Sequence, residues 1–134
     1  MSKIHVYIID DSDDNNFYVE DMLGDIESIS QVTVFNNPVL ALADLVSKIK
    51  TEETLPDLIL LDINMPHMTG FELLSQLEKD YMDSLTGMKV FIVSSSDHPK
   101  DLTEYTLHPL AVDFLKKPLT EQIIIDRVYQ HFEI

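Results

Sequence analysis

The chain has 134 residues, a net charge of −15 and no cysteine. This fits one domain with its own hydrophobic core, and it excludes disulfides and thiolate metal sites. The acidic balance argues against nucleic-acid binding, which needs a positive surface. No segment approaches the roughly 18 apolar residues of a membrane span, and the N-terminal apolar run is too short for a signal peptide. We therefore expect a cytoplasmic protein without membrane contact.

Short apolar and β-branched runs predict five strands. In chain order they cover residues 3–10, 31–35, 58–61, 90–93 and 111–115. The third and fourth runs are apolar throughout, as is typical of strands in the middle of a parallel sheet. Val32 and Val34 alternate with polar residues in the second run, which indicates a strand at the edge of the sheet.

A helix is predicted after every strand. Signals for the helix starts are Ser12 or Asp13, Pro38, the apolar spacing from Phe71 to Tyr81, Pro99 and Thr120. In the second helix the large apolar residues that predict the buried face are Val39, Leu42, Val46 and Ile49. Alternation of strands and helices predicts an α/β fold with a doubly wound, five-stranded parallel sheet, in a single domain over residues 1–134.

Polar side chains follow the carboxyl ends of four predicted strands. Asp10 and Asp11 end the first strand, and Asp62 ends the third. Ser94 ends the fourth strand, and Lys117 follows the fifth. Each residue alone has an ordinary explanation as a helix cap, a turn residue or a surface charge. Because ligands bind beyond the carboxyl ends of strands in open parallel sheets, we expect these side chains to meet in one crevice.

The reaction that suits these groups is phosphoryl transfer. A carboxylate can act as the nucleophile and form an aspartyl-phosphate. A hard divalent cation held by oxygen ligands would offset the negative charge of the phosphate and of the acids. A lysine would add a positive charge, and a serine hydroxyl would add a hydrogen-bond donor. Asp62 follows a fully apolar run, where a carboxylate is costly unless it is paired, so Lys117 and a cation are expected opposite it.

Five motifs resemble the receiver domain of two-component response regulators. They are IIDD at 8–11, LLDINMP at 60–66, Gly70, IVS at 92–94 and LKKP at 115–118. They occur in the order and at the spacing of that family, and they cover nearly the whole chain. The resemblance implies the flavodoxin-like strand order 2-1-3-4-5.

The resemblance also implies a role for each residue that handles the phosphoryl group. Asp62 would be the phosphoacceptor, and Ser94 would be the switch hydroxyl that binds the phosphoryl group. Lys117 would be the phosphate-binding lysine, with a cis peptide bond to Pro118. Phe114 would be the aromatic switch residue, which turns inward when Ser94 moves.

A magnesium site is implied by the same resemblance. Mg²⁺ would be bound by Asp10, Asp11 and Asp62, with Asp10 acting partly through water. The backbone carbonyl of Asn64 would be a further ligand. Gly70 would lie where the loop after the phosphoacceptor enters the third helix.

The implied function is phosphorylation-dependent signalling. A sensor histidine kinase or a phosphotransfer protein would donate the phosphoryl group, and the chain would catalyse its own phosphorylation and dephosphorylation without being an enzyme for other substrates. Only one helix follows Lys117, so we expect signalling by contact with a downstream protein target. The fourth helix, the fifth strand and the last helix would form the partner surface or a homodimer contact.

One position departs from the family pattern. Leu110 stands where the family usually has a glycine before the alanine that opens the fifth strand. Glycine there commonly ends the fourth helix in a left-handed turn, which leucine disfavours. The family pattern therefore does not define the end of the fourth helix or the loop after it in this chain.

Two alternatives remain open. A pseudo-receiver would be a pure binding module that never takes phosphate, although every expected active-site side chain is present here. A haloacid-dehalogenase-like phosphatase would use a D-x-D motif after the first strand, which Asp11-Ser12-Asp13 fits. That fold with its cap needs a longer chain, and it would leave LLDINMP unexplained. Modification of Asp13, and not of Asp62, would favour the phosphatase.

Overall fold

The structure, a computed structural model, describes residues 3–133. Residues 1, 2 and 134, which belong to the predicted domain 1–134, lie outside the described part. The strands are β1 (Ile4–Ile9), β2 (Ile29–Phe35), β3 (Leu58–Asp62), β4 (Lys89–Ser94) and β5 (Ala111–Lys116). The helices are α1 (Asp13–Gly24), α2 (Pro38–Lys50), α3 (Gly70–Tyr81), α4 (Pro99–Tyr105) and α5 (Glu121–His131), with a short 3-10 helix at Met82–Ser84.

All strand pairs are parallel, and the sheet order is β2-β1-β3-β4-β5. The predicted α/β fold and its strand order are confirmed. Every residue of β3 is buried, because helices cover both faces of the sheet. Leu60 packs into the core layer below α1 and α5, whereas Leu61 packs into the layer below α2 and α3. Side chains that alternate between two buried faces explain the unbroken apolar runs in the sequence.

Helix caps fix where the helices begin. Of the two candidates for α1, Ser12 is the cap, and its Oγ accepts the N–H of Asn15 at 3.2 Å. The Thr120 side chain caps α5 as predicted, and Pro38 is the first residue of α2. Within residues 3–133, no helix combines the length and the apolar character needed to cross a bilayer.

The second strand begins two residues earlier than the predicted 31–35. Ile4 pairs with Ile29 and His5 pairs with Gln31, so Ser30 is an extra residue in the register with β1 and forms a bulge. A bulge interrupts the alternation of side chains between the two faces. The pattern that identified the strand therefore starts only after Ser30.

The predicted buried face of α2 is wrong at Val39, which is 48% exposed. The fully buried positions are Ala41 and Leu45, which the pattern of large side chains did not include. The buried face of α2 is therefore centred near Pro38 and Leu45, and not on the large side chains that the pattern picked out. Because successive helical residues are about 100° apart, Val39 then lies at the margin of that face.

The region around Leu110 shows how the chain manages without the glycine. Leu110 is buried and is not among the described residues with a positive φ. Glu78 of α3 accepts the N–H of Leu110 at 3.1 Å, and its other oxygen lies 2.7 Å from Nδ1 of His108. The His108 ring stacks on Phe71, with centroids 5.3 Å apart. Contacts with α3 thus hold this loop where a left-handed turn was not available.

Candidate functional site

The carboxylate of Asp10 is held by the start of α1. Its two oxygens accept the N–H of Ser12 and the Nδ2 group of Asn15, each at 2.9 Å. Nδ2 of Asn16 donates to the backbone carbonyl of Asp10 at 2.7 Å. The sequence motifs did not identify either asparagine. Their positions three and four residues after the Ser12 cap are the signal that could have identified them, because this spacing points side chains of the first turn back toward the strand end.

Three acids and one lysine meet at the carboxyl edge of the sheet. Asp10, Asp11 and Asp62 each offer a carboxylate oxygen, and these oxygens all lie within 4.8 Å of one another. Nζ of Lys117 lies 2.7 Å from Oδ2 of Asp10 and 3.8 Å from Oδ1 of Asp62. Asp10 and Asp62 are buried, whereas Asp11 is exposed. The site is therefore open to solvent on the side of Asp11.

Gly70 allows the end of β3 to lie against the start of α3. A Cβ atom at this position would lie 2.5 Å from the carbonyl oxygen of Asp62 and 2.9 Å from Cα of Ile63. Backbone atoms cannot move aside cheaply, so any larger residue would displace the strand end that carries Asp62. The sequence placed Gly70 at this junction, and the close approach of the backbone explains why glycine is needed there.

The loop after β3 is tightly folded. The N–H of Asn64 points to Oδ1 of Asp62 at 3.4 Å. The N–H of Met68 donates to the carbonyl of Pro66 at 2.8 Å, across His67 with a φ of 70°. This is a γ-turn with positive φ, an uncommon and strained conformation. Such strain is tolerated where the surrounding structure fixes the backbone, often at functional sites.

Asp62 is a weaker acid than an ordinary aspartate, because the pKa of its carboxyl is raised from 3.8 to about 6. Burial is the largest cause. The neighbouring Asp10 carboxylate acts in the same direction, and Asp11 makes a smaller contribution of the same sign. The Lys117 ammonium and the N–H of Asn64 lower it. Asp62 is thus a buried carboxylate whose negative charge is only partly balanced.

This shift predicts how stability depends on pH without metal. The folded protein binds the Asp62 proton more tightly than the unfolded chain does, so the free energy of unfolding falls as pH rises from about 4 to about 6. A shift of roughly two pH units corresponds to about 3 kcal/mol. The free energy of unfolding of Asp62→Asn, measured relative to that of wild type, should therefore be about 2–3 kcal/mol higher at pH 7 than at pH 4. Chemical denaturation in EDTA measures this gain, and a difference that is independent of pH would contradict it.

Ser94 ends β4 and is fully buried. It lies opposite Lys116 in the register of β4 and β5, and its carbonyl accepts the N–H of Lys117 at 2.8 Å. Its Oγ accepts the N–H of Ser96 at 3.1 Å. The peptide bond from Lys117 to Pro118 is cis, which confirms what the resemblance implied. Pairing between the two strand ends thus places the hydroxyl and the lysine at the same edge of the sheet.

Phe114 lies on β5 and is partly buried. It pairs in register with Ile92 of β4 and packs against the core layer that contains α3. Its ring meets the edge of the Tyr105 ring of α4, with centroids 5.7 Å apart. The side chain therefore connects the sheet to α4, and its movement as a switch stays a prediction.

The donor set suits a hard cation. All the candidate ligands at the strand ends are oxygen atoms, and three of them belong to carboxylates that repel one another. Mg²⁺ binds through carboxylates and other oxygen ligands and keeps several waters. The exposed Asp11 leaves space for such waters. The residues present therefore fit Mg²⁺.

Comparison with known proteins supports the family resemblance that the motifs carry. The model of the response regulator receiver domain matches residues 6–129. A protein-glutamate methylesterase/protein-glutamine glutaminase of Desulfotalea psychrophila is 36% identical over 118 residues, which are 88% of this chain and 30% of that protein. The Escherichia coli protein of the same name is 31% identical over 119 residues, 88% of this chain and 31% of that protein. The chain thus spans about a third of the length of these relatives.

Solved structures share the fold. A two-component response regulator from Cytophaga hutchinsonii is 25% identical with a TM-score of 0.85, over 96% of both chains. Chemotaxis protein CheY4 of Vibrio cholerae is 22% identical with a TM-score of 0.79, over 98% of this chain and all of that one. The response regulator domain of Thermotoga maritima CheB is 23% identical with a TM-score of 0.72, over 96% of this chain and 95% of that one. Because the family model covers most of its length, the chain belongs to the response regulator receiver domain family.

Proposed function

We propose that the chain is a phosphorylation-dependent signalling receiver that accepts a phosphoryl group on Asp62. The donor is a sensor histidine kinase or a phosphotransfer protein. The observation that carries the proposal is the geometry around Asp62. Its carboxylate lies in the three-acid cluster, and the Lys117 ammonium lies 3.8 Å away. Few other functions need a buried carboxylate whose negative charge is only partly neutralised, next to a lysine and to oxygen ligands for a cation.

In the proposed reaction, a carboxylate oxygen of Asp62 attacks the phosphorus of a phosphohistidine. The new P–O bond forms as the P–N bond breaks, and the imidazole nitrogen leaves with the electron pair. Asp62 must be ionised to attack, and with a pKa of about 6 it is mostly ionised at neutral pH. The product is an aspartyl-phosphate.

Lys117 and Ser94 would stabilise the transferred group. In the present arrangement Lys117 is hydrogen-bonded to Asp10 at 2.7 Å, so a small movement of a flexible side chain would bring Nζ to the phosphoryl oxygens. The Ser94 hydroxyl would donate one further hydrogen bond. Both groups act by positioning and by charge stabilisation, which provide most of the catalysis in phosphoryl transfer.

Asp10, Asp11, Asp62 and the backbone carbonyl of Asn64 would hold Mg²⁺, with Asp10 acting partly through water. When bound, the ion supplies positive charge that offsets the phosphate and the three acids. Asp10 is already fixed by Ser12 and Asn15, so its carboxylate needs little reorganisation to act as a ligand.

The test of the proposal is labelling by a small phosphodonor. The chain is incubated with acetyl phosphate and Mg²⁺, and intact-protein mass spectrometry counts the phosphates before and after hydroxylamine. We expect one phosphate that hydroxylamine removes, because acyl phosphates react with this nucleophile. A pseudo-receiver would take no phosphate under the same conditions, and that result would overturn the proposal.

We infer that the output surface lies on α4, β5 and α5. It includes Tyr105 and Phe114, whose rings are in contact, and Tyr129, which is 61% exposed. This surface would contact the downstream protein or a second copy of the chain, and phosphorylation would tighten the contact.

Nucleic acid and membrane play no part in this proposal. We place the protein in the cytoplasm, a reducing compartment, because a chain without cysteine does not depend on disulfides for its stability.

The switch between Ser94 and Phe114 predicts a change that spreads from the site. Phosphoryl oxygens should draw the Ser94 hydroxyl inward by a charge-assisted hydrogen bond, and the vacated space should admit Phe114. Amide NMR with and without Mg²⁺ plus beryllofluoride, a phosphoryl mimic, should show shifts in residues 100–115. Ser94→Ala is the matched control and should confine the shifts to the loops of the site. Equal confinement in wild type would contradict the switch.

A further inference from the structure

Three hydrogen bonds in series connect the end of β4 with the start of α4. The N–H of Ser96 donates to Oγ of Ser94 at 3.1 Å. The N–H of His98 donates to Oγ of Ser96 at 3.3 Å. The N–H of Lys100 then donates to Nδ1 of His98 at 3.1 Å. Each side chain accepts from the backbone N–H two residues later. The series of hydrogen bonds therefore runs without a gap from the buried hydroxyl to the first turn of the helix.

The last acceptor in this series, Nδ1 of His98, cannot accept a hydrogen bond when the ring is protonated. His98 is the N-cap of α4, and its carbonyl also accepts the N–H groups of Asp101 and Leu102. The usual N-cap residues accept through oxygen atoms. An imidazole nitrogen accepts only while it carries no proton, and both ring nitrogens are donors in the charged form. A positive charge at a helix N-terminus is also unfavourable for the helix dipole.

Charged residues lie on both sides of the cap in the chain, and one of them pairs with β5. Lys100 and Asp101 lie in the first turn of α4, and Asp97 precedes the cap. The Asp97 carboxylate lies 3.8 Å from Nζ of Lys116 on β5. Carboxylates and ammonium groups ordinarily keep their charge between pH 5 and 8, whereas histidine gains a proton in this range. His108, beyond the other end of α4, lies 3.9 Å from Glu104 and is the second histidine of this region.

We propose that protonation of His98 uncaps α4 and loosens the loop that leads back to the Ser94 hydroxyl. Acidification then changes the output surface without any phosphoryl group, because α4 is part of that surface. The uncapping depends only on the geometry of the cap and stands apart from the proposed phosphorylation of Asp62, whereas its effect on output rests on the proposed output surface.

The experiment follows the start of α4 in the unphosphorylated, metal-free protein. Amide hydrogen exchange of Lys100, Asp101 and Leu102 is measured at pH 8 and pH 5 and corrected for the intrinsic pH dependence of exchange. In wild type we expect the opening equilibrium to increase about fivefold at the lower pH, which is the factor that loss of a typical cap gives. His98→Ala should show the open level at both pH values.

His98→Asn is the matched control, because asparagine is a strong N-cap that does not titrate. This variant keeps both Asp62 and His108, so any effect of their protonation stays in the comparison. It should show the same protection at both pH values. A loss of protection equal to that of wild type, or no loss in wild type, would overturn the proposal.

The tautomer of His98 provides an independent measurement on wild type. Long-range ¹H–¹⁵N spectra report which ring nitrogen carries the proton. At pH 8 we expect the proton on Nε2, since Nδ1 accepts from Lys100. A neutral ring with its proton on Nδ1 would show that the cap does not form in solution, and it would overturn the proposal whatever the exchange data show.

Discussion

Asp62→Asn should abolish stable phosphorylation of the chain. An amide cannot attack phosphorus and leave an acyl phosphate, whereas the substitution preserves the size and shape of the side chain. Asp62 is the buried acid at the end of β3, and Lys117 lies 3.8 Å from its carboxylate. Intact-protein mass spectrometry after treatment with acetyl phosphate and Mg²⁺ should show full labelling of wild type and none of the variant.

Asp13→Asn is the matched control for that experiment. Asp13 is the first residue of α1, and it is exposed; its carboxylate accepts from Nδ2 of Asn36 at 3.0 Å. Labelling should survive this change. It would be lost if Asp13 were the nucleophile of a D-x-D phosphatase. Full labelling of the Asp62→Asn protein at another residue would show that the assignment of the phosphoacceptor is wrong.

Mg²⁺ should stabilise the folded protein, and Asp11→Asn should remove most of that effect. A ligand that binds only the folded state stabilises it by mass action, by about 3 kcal/mol at a hundred times its dissociation constant. Asp11 belongs to the cluster of three carboxylates. Like charges at such distances repel one another when no cation is bound. Asp11→Asn should therefore also raise the melting temperature measured in EDTA.

Thermal melts in EDTA and in saturating Mg²⁺ test this prediction. Asp14→Asn is the matched control, because Asp14 is an exposed acid in the first turn of α1, close to Asp11 in the chain but outside the cluster. It removes the same charge and should leave the stabilisation by Mg²⁺ intact. If wild type and Asp11→Asn gain equally from Mg²⁺, Asp11 is not a ligand.

The sequence predicted the sheet well because its signals were strong and local. The run from Leu58 to Leu61 needs burial on both faces, and only an inner strand of a covered sheet provides it. Once the strands were placed, the carboxyl-edge rule brought Asp10, Asp62 and Lys117 together. The cluster then followed from topology, although the residues are far apart in the chain.

Other features depend on contacts that no local pattern records. The bulge at Ser30 is set by pairing with β1. The loop before Leu110 is held by Glu78, which is 32 residues earlier in the chain. Sequence periodicity cannot show which acid on a distant helix will accept that backbone N–H. Leu110 marked this region as a departure from the family pattern, but its contact with Glu78 became visible only in three dimensions.

Within the site, the residue type alone does not determine the role of a side chain. Asp11 and Asp62 are chemically identical carboxylates, yet Asp11 is exposed whereas Asp62 is buried, and burial is the main cause of the raised pKa of Asp62. Asn15 and Asn16 hold Asp10 in place, a role that an asparagine pair in a helix does not reveal by itself. Roles therefore follow from burial and hydrogen bonding, which depend on the complete fold.

Trapping the acyl phosphate tests the central claim, that Asp62 is the phosphoacceptor, most directly. The wild-type chain is phosphorylated with acetyl phosphate and Mg²⁺ and then treated with sodium borohydride, which reduces an aspartyl-phosphate to homoserine. Peptide sequencing by tandem mass spectrometry locates the homoserine. We predict homoserine at position 62 and unchanged aspartate at positions 10, 11 and 13. Homoserine at any of those three positions, with Asp62 unchanged, would contradict the account.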